Sequence, residues 1–154
     1  VFEHTLDDRY CEAMRRIFEA VRRAQHGNGG WSMELFFNRG FCPFQNAVCL
    51  TGLARYHEAT GDPEAIEVFL NGIRFLAGDD MRFPDGSWVY VTSHDYRSTY
   101  YGDSPVEPFG YAYHLTEDAE MIEKVLAGWA GNLDLRASPR FMWAADQAGL
   151  LRDG

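Results

Sequence analysis

Two short runs carry the densest set of side chains able to move protons: His94-Asp95-Tyr96-Arg97 and Tyr100-Tyr101-Gly102-Asp103. Imidazole, carboxyl and phenol side by side supply an acid and a base. Cleavage of a glycosidic bond needs two carboxyl groups flanking it. Elimination beside a carboxylate needs a base, often Tyr or His, and a group that neutralises the substrate's charge. His94, Asp95, Tyr100 and Asp103 are therefore the candidate catalytic residues. Glu34, Arg39, Tyr96, Arg97, Tyr101 and Glu107 are the candidate substrate contacts. No spacing among these ten makes a catalytic signature, and a structural role for each competes with the chemical one. Asp85 fits the turn Pro84-Asp85-Gly86, and Glu107 fits a helix cap. His94, Asp95 and Asp103 have no paired-ligand spacing, so neither a metal nor another cofactor is expected.

Aromatic residues gather around the same groups. Residues 27–44 and 79–104 hold 11 of the 23 aromatics. Aromatic faces stack on the C–H faces of sugar rings, and Tyr and Trp add a polar tip. The competing reading is that the rings fold back and bury one another. It suits Trp31 and Trp88, which recur at a fixed interval, better than it suits Tyr96, Tyr100 and Tyr101.

The elements that must position these loops read as helices. Residues 5–26 form an amphipathic helix, with Tyr10, Met14, Ile17, Val21 and Ala24 at helical spacing and Arg9, Glu12, Arg16, Glu19 and Arg23 on another face. Gly27-Asn28-Gly29-Gly30 ends it. A second helix starts near Pro43. It lacks charge from Gly40 to Ala54, which predicts burial on several sides. Gly61 suits a left-handed residue after that helix, Asp62 an N-cap and Pro63 the first turn of a third helix over 63–78. Ser87 to Thr92 could form one short strand in the long connection that follows. Ser104-Pro105-Val106-Glu107 has capping-box spacing before a fourth helix. A fifth helix runs to about Ala130, and Ser138-Pro139 opens a sixth. His57 and His114, near helix ends, are assigned to packing.

The chain also repeats. Gly-x-Trp at Trp31 returns at Trp88, 57 residues on, and Phe18 and Phe75 lie at the same interval. Thr60/Thr116, Asp62/Asp118, Glu64/Glu120, Ile66/Ile122 and Leu70/Leu126 match at 56. The unit alternates half-polar with apolar helices. This predicts an outer layer against water and an inner layer packed within. Successive helices run antiparallel, so the long loops must emerge together at one end.

Leu53-Ala54-Arg55-Tyr56-His57-Glu58-Ala59-Thr60-Gly61-Asp62-Pro63 and its echo Tyr111-Ala112-Tyr113-His114-Leu115-Thr116-Glu117-Asp118 resemble the α/α-toroid superfamily, in its six-hairpin glycosidase and polysaccharide-lyase branch. The resemblance implies an all-α fold: one domain over 1–154 with three helical hairpins, about half of a ring. It also implies carbohydrate as partner, with sugar at a rim built by loops 31–45 and 83–107. The absence of an initiator Met and the apolar segment at the end suit a piece of a longer protein. In that case the inner helices would pack on the rest of the parent chain or on a second copy. A non-catalytic helical scaffold is the alternative. Gln25-His26-Gly27-Asn28-Gly29-Gly30-Trp31 is also similar to the repeat of terpene cyclases. The initiating acid cluster is missing, though, since Asp79-Asp80 lacks a third acid.

Composition narrows the remaining classes. The chain is 46% hydrophobic and 24% charged, as a folded domain requires. Fourteen Lys and Arg against 23 Asp and Glu give a net charge of −9. That charge disfavours nucleic acid and anionic membrane as partners. No apolar run approaches the roughly 18–20 residues of a membrane span. Cys11, Cys42 and Cys49 have no metal spacing and read as buried thiols.

Overall fold

The structure, a computed structural model, describes residues 8–35, 38–84, 87–93, 106–127 and 138–151. Its elements in chain order are helix α1 (Asp8–Ala24), strands β1 (Ser32–Leu35) and β2 (Asn38–Phe41), helices α2 (Pro43–Thr60) and α3 (Pro63–Ala77), a 3-10 turn (Asp79–Met81), and helices α4 (Glu107–Thr116), α5 (Ala119–Ala127) and α6 (Pro139–Gln147). Among the described residues the chain is all-α apart from one antiparallel hairpin.

The repeat is visible atom by atom in the two tight turns. Thr60 Oγ1 donates to the Tyr56 carbonyl at 2.8 Å and accepts from the Asp62 N–H at 3.3 Å. Thr116 Oγ1 donates to the Ala112 carbonyl at 2.9 Å and accepts from the Asp118 N–H at 3.3 Å. Asp62 and Asp118 each accept from the N–H two residues on, both at 3.0 Å. These bonds satisfy orphan groups at the end of one helix and the start of the next. The residue between them is left-handed in both turns: Gly61 at φ 69° and Glu117 at φ 56°.

Helices α1, α3 and α5 are amphipathic, and α2, α4 and α6 carry the weaker polar faces. Neighbours within each set run the same way. Arg22 meets Glu64 at 3.1 Å, and Gln25 Nε2 donates to the Val68 carbonyl at 2.9 Å, so α1 and α3 are parallel. Glu107 meets Ser138, Gly110 lies against Arg140 and Phe141, and Tyr113 and His114 lie against Trp143. Numbers rise together there too, so α4 and α6 are parallel. Between the sets the helices oppose: Gly72 of α3 packs on Leu50 of α2, while Tyr56 bonds Asp62. The core between them contains Leu50, Phe69, Ile73, Leu76, Phe109 and Phe141, each 1% exposed or less. Each such side chain contributes about 1.5–3 kcal/mol. Burial, rather than the exposed ion pairs of α1, therefore holds the layers together.

Several expectations need correction. Tyr10, Ile17 and Ala24 do not face the body: Tyr10 is 43% and Ile17 65% exposed, and Ala24 is exposed. Met14, Phe18 and Val21 pack inward instead, because the apolar arc of α1 is wider than the part the chain covers. The strands lie in the first loop. In the second, the described residues show an isolated bridge between 82 and 88 and no strand. Helix α4 starts at Glu107 with Val106 before it and no side-chain cap; Ser104 and Pro105 lie outside the described residues. Helix α2 leaves one side open, with Val48 at 54% exposure. Cys42 is buried, Cys11 and Cys49 are half-buried, and all three are free thiols.

Candidate functional site

The first aromatic loop is shaped by Asn46 and Trp31. Trp31 is 6% exposed, and its indole N–H donates to the Val21 carbonyl at 2.8 Å. Trp31 thus ties the end of α1 to the start of β1. The hairpin then places Ser32 opposite Phe41 and Glu34 opposite Arg39. Opposite charges facing across a hairpin reinforce its register. Both are exposed.

The second loop seats on this hairpin. The Thr92 N–H donates to the Phe41 carbonyl at 3.0 Å, and the Phe41 N–H donates to Thr92 Oγ1 at 3.0 Å. Met33, Cys42 and Val91 form a small buried cluster beneath, with Phe44 and Tyr90 against it. Gly40 permits the approach. Its φ is +127°, and a Cβ there would lie 2.6 Å from Thr92 Oγ1. The two loops are therefore one lip. Thr92→Val removes the acceptor for the Phe41 N–H and should cost about 0.5–1.5 kcal/mol. Hydrogen exchange at the Phe41 amide should quicken while the amides of α3 keep their protection; an unchanged Phe41 amide would count against the joined lip.

Of the ten candidate residues, the structure sets Glu34 opposite Arg39 in the hairpin register. Glu107 is engaged between two helix starts. Its Oε2 accepts from Ser138 Oγ at 2.6 Å, and Ser138 is fully buried. Glu107 thus pins the start of α6 to the start of α4 and does not cap its own helix. Ser138 gives its hydroxyl to this bond rather than to a cap. His94, Asp95, Tyr96, Arg97, Tyr100, Tyr101 and Asp103 lie outside the described residues, as does Asp85. Trp88 is architectural, as its recurrence implied: it packs on Phe109 under the Arg82 guanidinium, 4.1 Å from the ring centroid. That guanidinium is largely buried, and desolvation drops its pKa to about 10 against a smaller upward pull from Asp79.

A second polar group lies where α2, α4 and α6 converge. Tyr111 OH and His57 Nδ1 are 2.5 Å apart. Arg140 Nη2 donates to Glu58 Oε1 at 2.6 Å, and its guanidinium lies 4.9 Å from the Tyr111 ring centroid. His114 stacks on Tyr111 and meets Trp143 edge-on. Burial pushes the Tyr111 phenol above its ordinary range, and Glu58 adds to this while Arg140 opposes it. The phenol stays protonated at neutral pH, so it is a hydrogen-bonding group there and not a base. His57 does more than pack: with Tyr111 it joins α2 to α4, as Glu58 with Arg140 joins α2 to α6. The sequence held one signal for this group, a lone Arg140 near the start of a mostly apolar helix, since a charge in that setting needs a partner.

Among the described residues, no group of three or more His, Cys, Asp or Glu is placed to hold a metal, and no helix is long and apolar enough to cross a membrane. Compared with protein-family models and with curated proteins, the sequence finds no match.

Proposed function

We propose that the chain is a carbohydrate-interacting domain of α/α-toroid kind, from a glycoside hydrolase or polysaccharide lyase-like protein, with sugar held at the rim of loops 31–45 and 83–107. One observation carries this reading: the two aromatic-rich loops are hydrogen-bonded into a single lip through Thr92 and Phe41. The parallel run of α4 beside α6 and of α1 beside α3 supports a ring of hairpins, since consecutive hairpins of a ring keep one direction in each layer. On this reading Arg39 donates to sugar hydroxyl or carboxylate oxygens and Glu34 accepts from hydroxyls. The acid and base work falls to His94, Asp95, Tyr100 and Asp103, and the neighbouring contacts to Tyr96, Arg97 and Tyr101.

Calorimetric titration with neutral and uronate-containing oligosaccharides tests it. Binding by the native chain should weaken about tenfold in Arg39→Ala, a loss of about 1.4 kcal/mol. Absence of heat from every sugar at millimolar concentration would end this reading. The second reading is a non-catalytic helical scaffold. It is favoured by exposed Val48 on α2 and Trp143 on α6, at 54% and 45%. Large apolar side chains left open on a packed layer mark contact with another surface.

A further inference from the structure

We infer that the outward face of α1 docks a second copy of this chain, head-to-tail, against the open side of its α6. Helix α1 has two apolar stripes. Cys11, Met14, Phe18 and Val21 face the body, with Phe18 stacked on Tyr56 of α2 at 4.6 Å. Tyr10, Ala13, Ile17, Ala20 and Ala24 form the other, spaced by three and four residues, and all five are exposed. At 3.6 residues per turn the stripes lie about a quarter turn apart. They form one broad apolar arc of which half is covered.

Helix α3 shows what covers the other half. It lies between two helices of the apolar layer, with Gly72 on Leu50 of α2 and Phe69 on Tyr111 of α4. So placed, it buries Ala65, Val68, Phe69, Gly72, Ile73 and Leu76. Helix α1 has α2 on one side and, among the described residues, no such neighbour on its second stripe. Two apolar-layer helices have an open side: that of α2 shows Val48 at 54% exposure beside the exposed Arg55, and that of α6 shows Trp143 at 45% beside the exposed Asp146, so an arginine-edged stripe fits α6. A depression of about 520 Å³ beside Ile17, lined by Asp8, Arg9, Glu12, Ala13 and Arg16, has room for an indole.

Charge selects the occupant and its direction. Arg9, Arg16 and Arg23, seven residues apart, edge the exposed stripe of α1; Arg16 also pairs with Glu12 at 3.0 Å, and the helix as a whole carries five arginines against Asp8, Glu12 and Glu19. A two-fold pairing of α1 with another α1 would set this row against itself, which like charges oppose. Helices α5 and α6 carry Glu120, Glu123 and Asp146, all exposed, against one exposed Lys124 that pairs with Glu120 at 2.9 Å, within a chain of net charge −9. An arginine-edged stripe therefore fits the acidic end of another copy. Such a contact joins different faces, so it repeats until copies close a ring or extend a row. This contact is independent of any sugar bound at the rim.

Sedimentation velocity of the whole chain over a concentration series tests it. The native chain should associate, and added salt should weaken the association. Ile17→Glu spoils the α1 face and Trp143→Glu the α6 face. Each should be monomeric alone, yet an equimolar mixture should form a dimer that grows no further, joined by the one intact pair of faces. Both positions are exposed, and circular dichroism checks that each variant keeps its helices. If either unfolds, Tyr10→Ser or Asp146→Lys takes its place. A native chain monomeric at every concentration overturns the proposal. So does a Trp143→Glu variant that still pairs, since α1 would then be meeting α1.

Discussion

Gly110→Ala should lower the melting temperature and Gly52→Ala should raise it, although both glycines lie inside helices of the same layer. The difference is in what a methyl group would meet. At Gly110 a Cβ would come within 2.6 Å of the Arg140 carbonyl carbon and the Phe141 nitrogen, and 2.8 Å of the Arg140 oxygen. These are backbone atoms of α6 and cannot rotate away, so α4 and α6 must separate. Overpacking of this kind costs about 3 kcal/mol, against about 1 kcal/mol regained from the helix preference of Ala over Gly. The net loss of about 2 kcal/mol corresponds to a fall of about 5 °C for a chain of this length. Separation would also strain the Glu107–Ser138 bond at the same crossing. At Gly52 no atom lies within 4 Å of the added carbon. There the helix preference acts alone and should stabilise by about 0.5–1 kcal/mol. Paired thermal melts decide it, and equal shifts in the two variants would contradict the close α4–α6 crossing.

This contrast also shows where sequence reading ends. Gly61 announces its role locally, because it follows a helix and precedes Asp62-Pro63, and the observed left-handed φ and N-cap follow from that order. The helices of the repeat were legible for the same reason: the period of apolar residues and the turn chemistry reside in neighbouring positions. Gly110 carries no such local sign. Its role depends on Arg140 and Phe141, thirty residues on, and nothing in the sequence around it marks the crossing. Ile17 fails in the opposite way. Its spacing places it on the apolar arc, but which part of an arc is covered depends on how many neighbours the helix has. The hairpin at 32–41 was missed because Phe36, Phe37 and their neighbours do not alternate as a half-buried strand would, and its register rests on Thr92 and Val91 from the distant loop. Of the candidate site, Glu34 and Arg39 are legible as residue types, but their opposition across the hairpin is not. Glu107 was found as a helix opener while its real partner, Ser138, was assigned to its own helix start.

Asn46→Asp tests the joint on which the lip depends. Asn46 is fully buried and uses both ends of its amide. Its Oδ1 accepts from the Trp31 N–H at 2.8 Å, and its Nδ2 donates to the Trp31 and Cys42 carbonyls at 3.0 and 2.9 Å. Aspartate keeps the shape and the acceptor. It replaces the donor with an oxygen facing two carbonyl oxygens, and buries a charge with no cation beside it. Leaving a buried charge uncompensated costs about 3–5 kcal/mol. The pH dependence identifies this cause. Burial and the two carbonyls raise the folded-state pKa of the new carboxyl above its unfolded value of about 3.9. The folded variant then holds its proton more tightly than the unfolded one. Below pH of about 3.9 the extra cost is smallest, and the variant loses about 1.4 kcal/mol per pH unit from there up to the raised pKa. The native chain has no group at this position to titrate, so the gap between the two should widen with pH and then level off. Asn46→Ala should instead cost a pH-independent amount, about 1–3 kcal/mol for each backbone group left unpaired. Urea unfolding of the three proteins across a pH series separates these outcomes. A pH-independent gap for Asn46→Asp would mean that residue 46 is reached by water, and that Trp31 and the lip above it are held by something other than this amide.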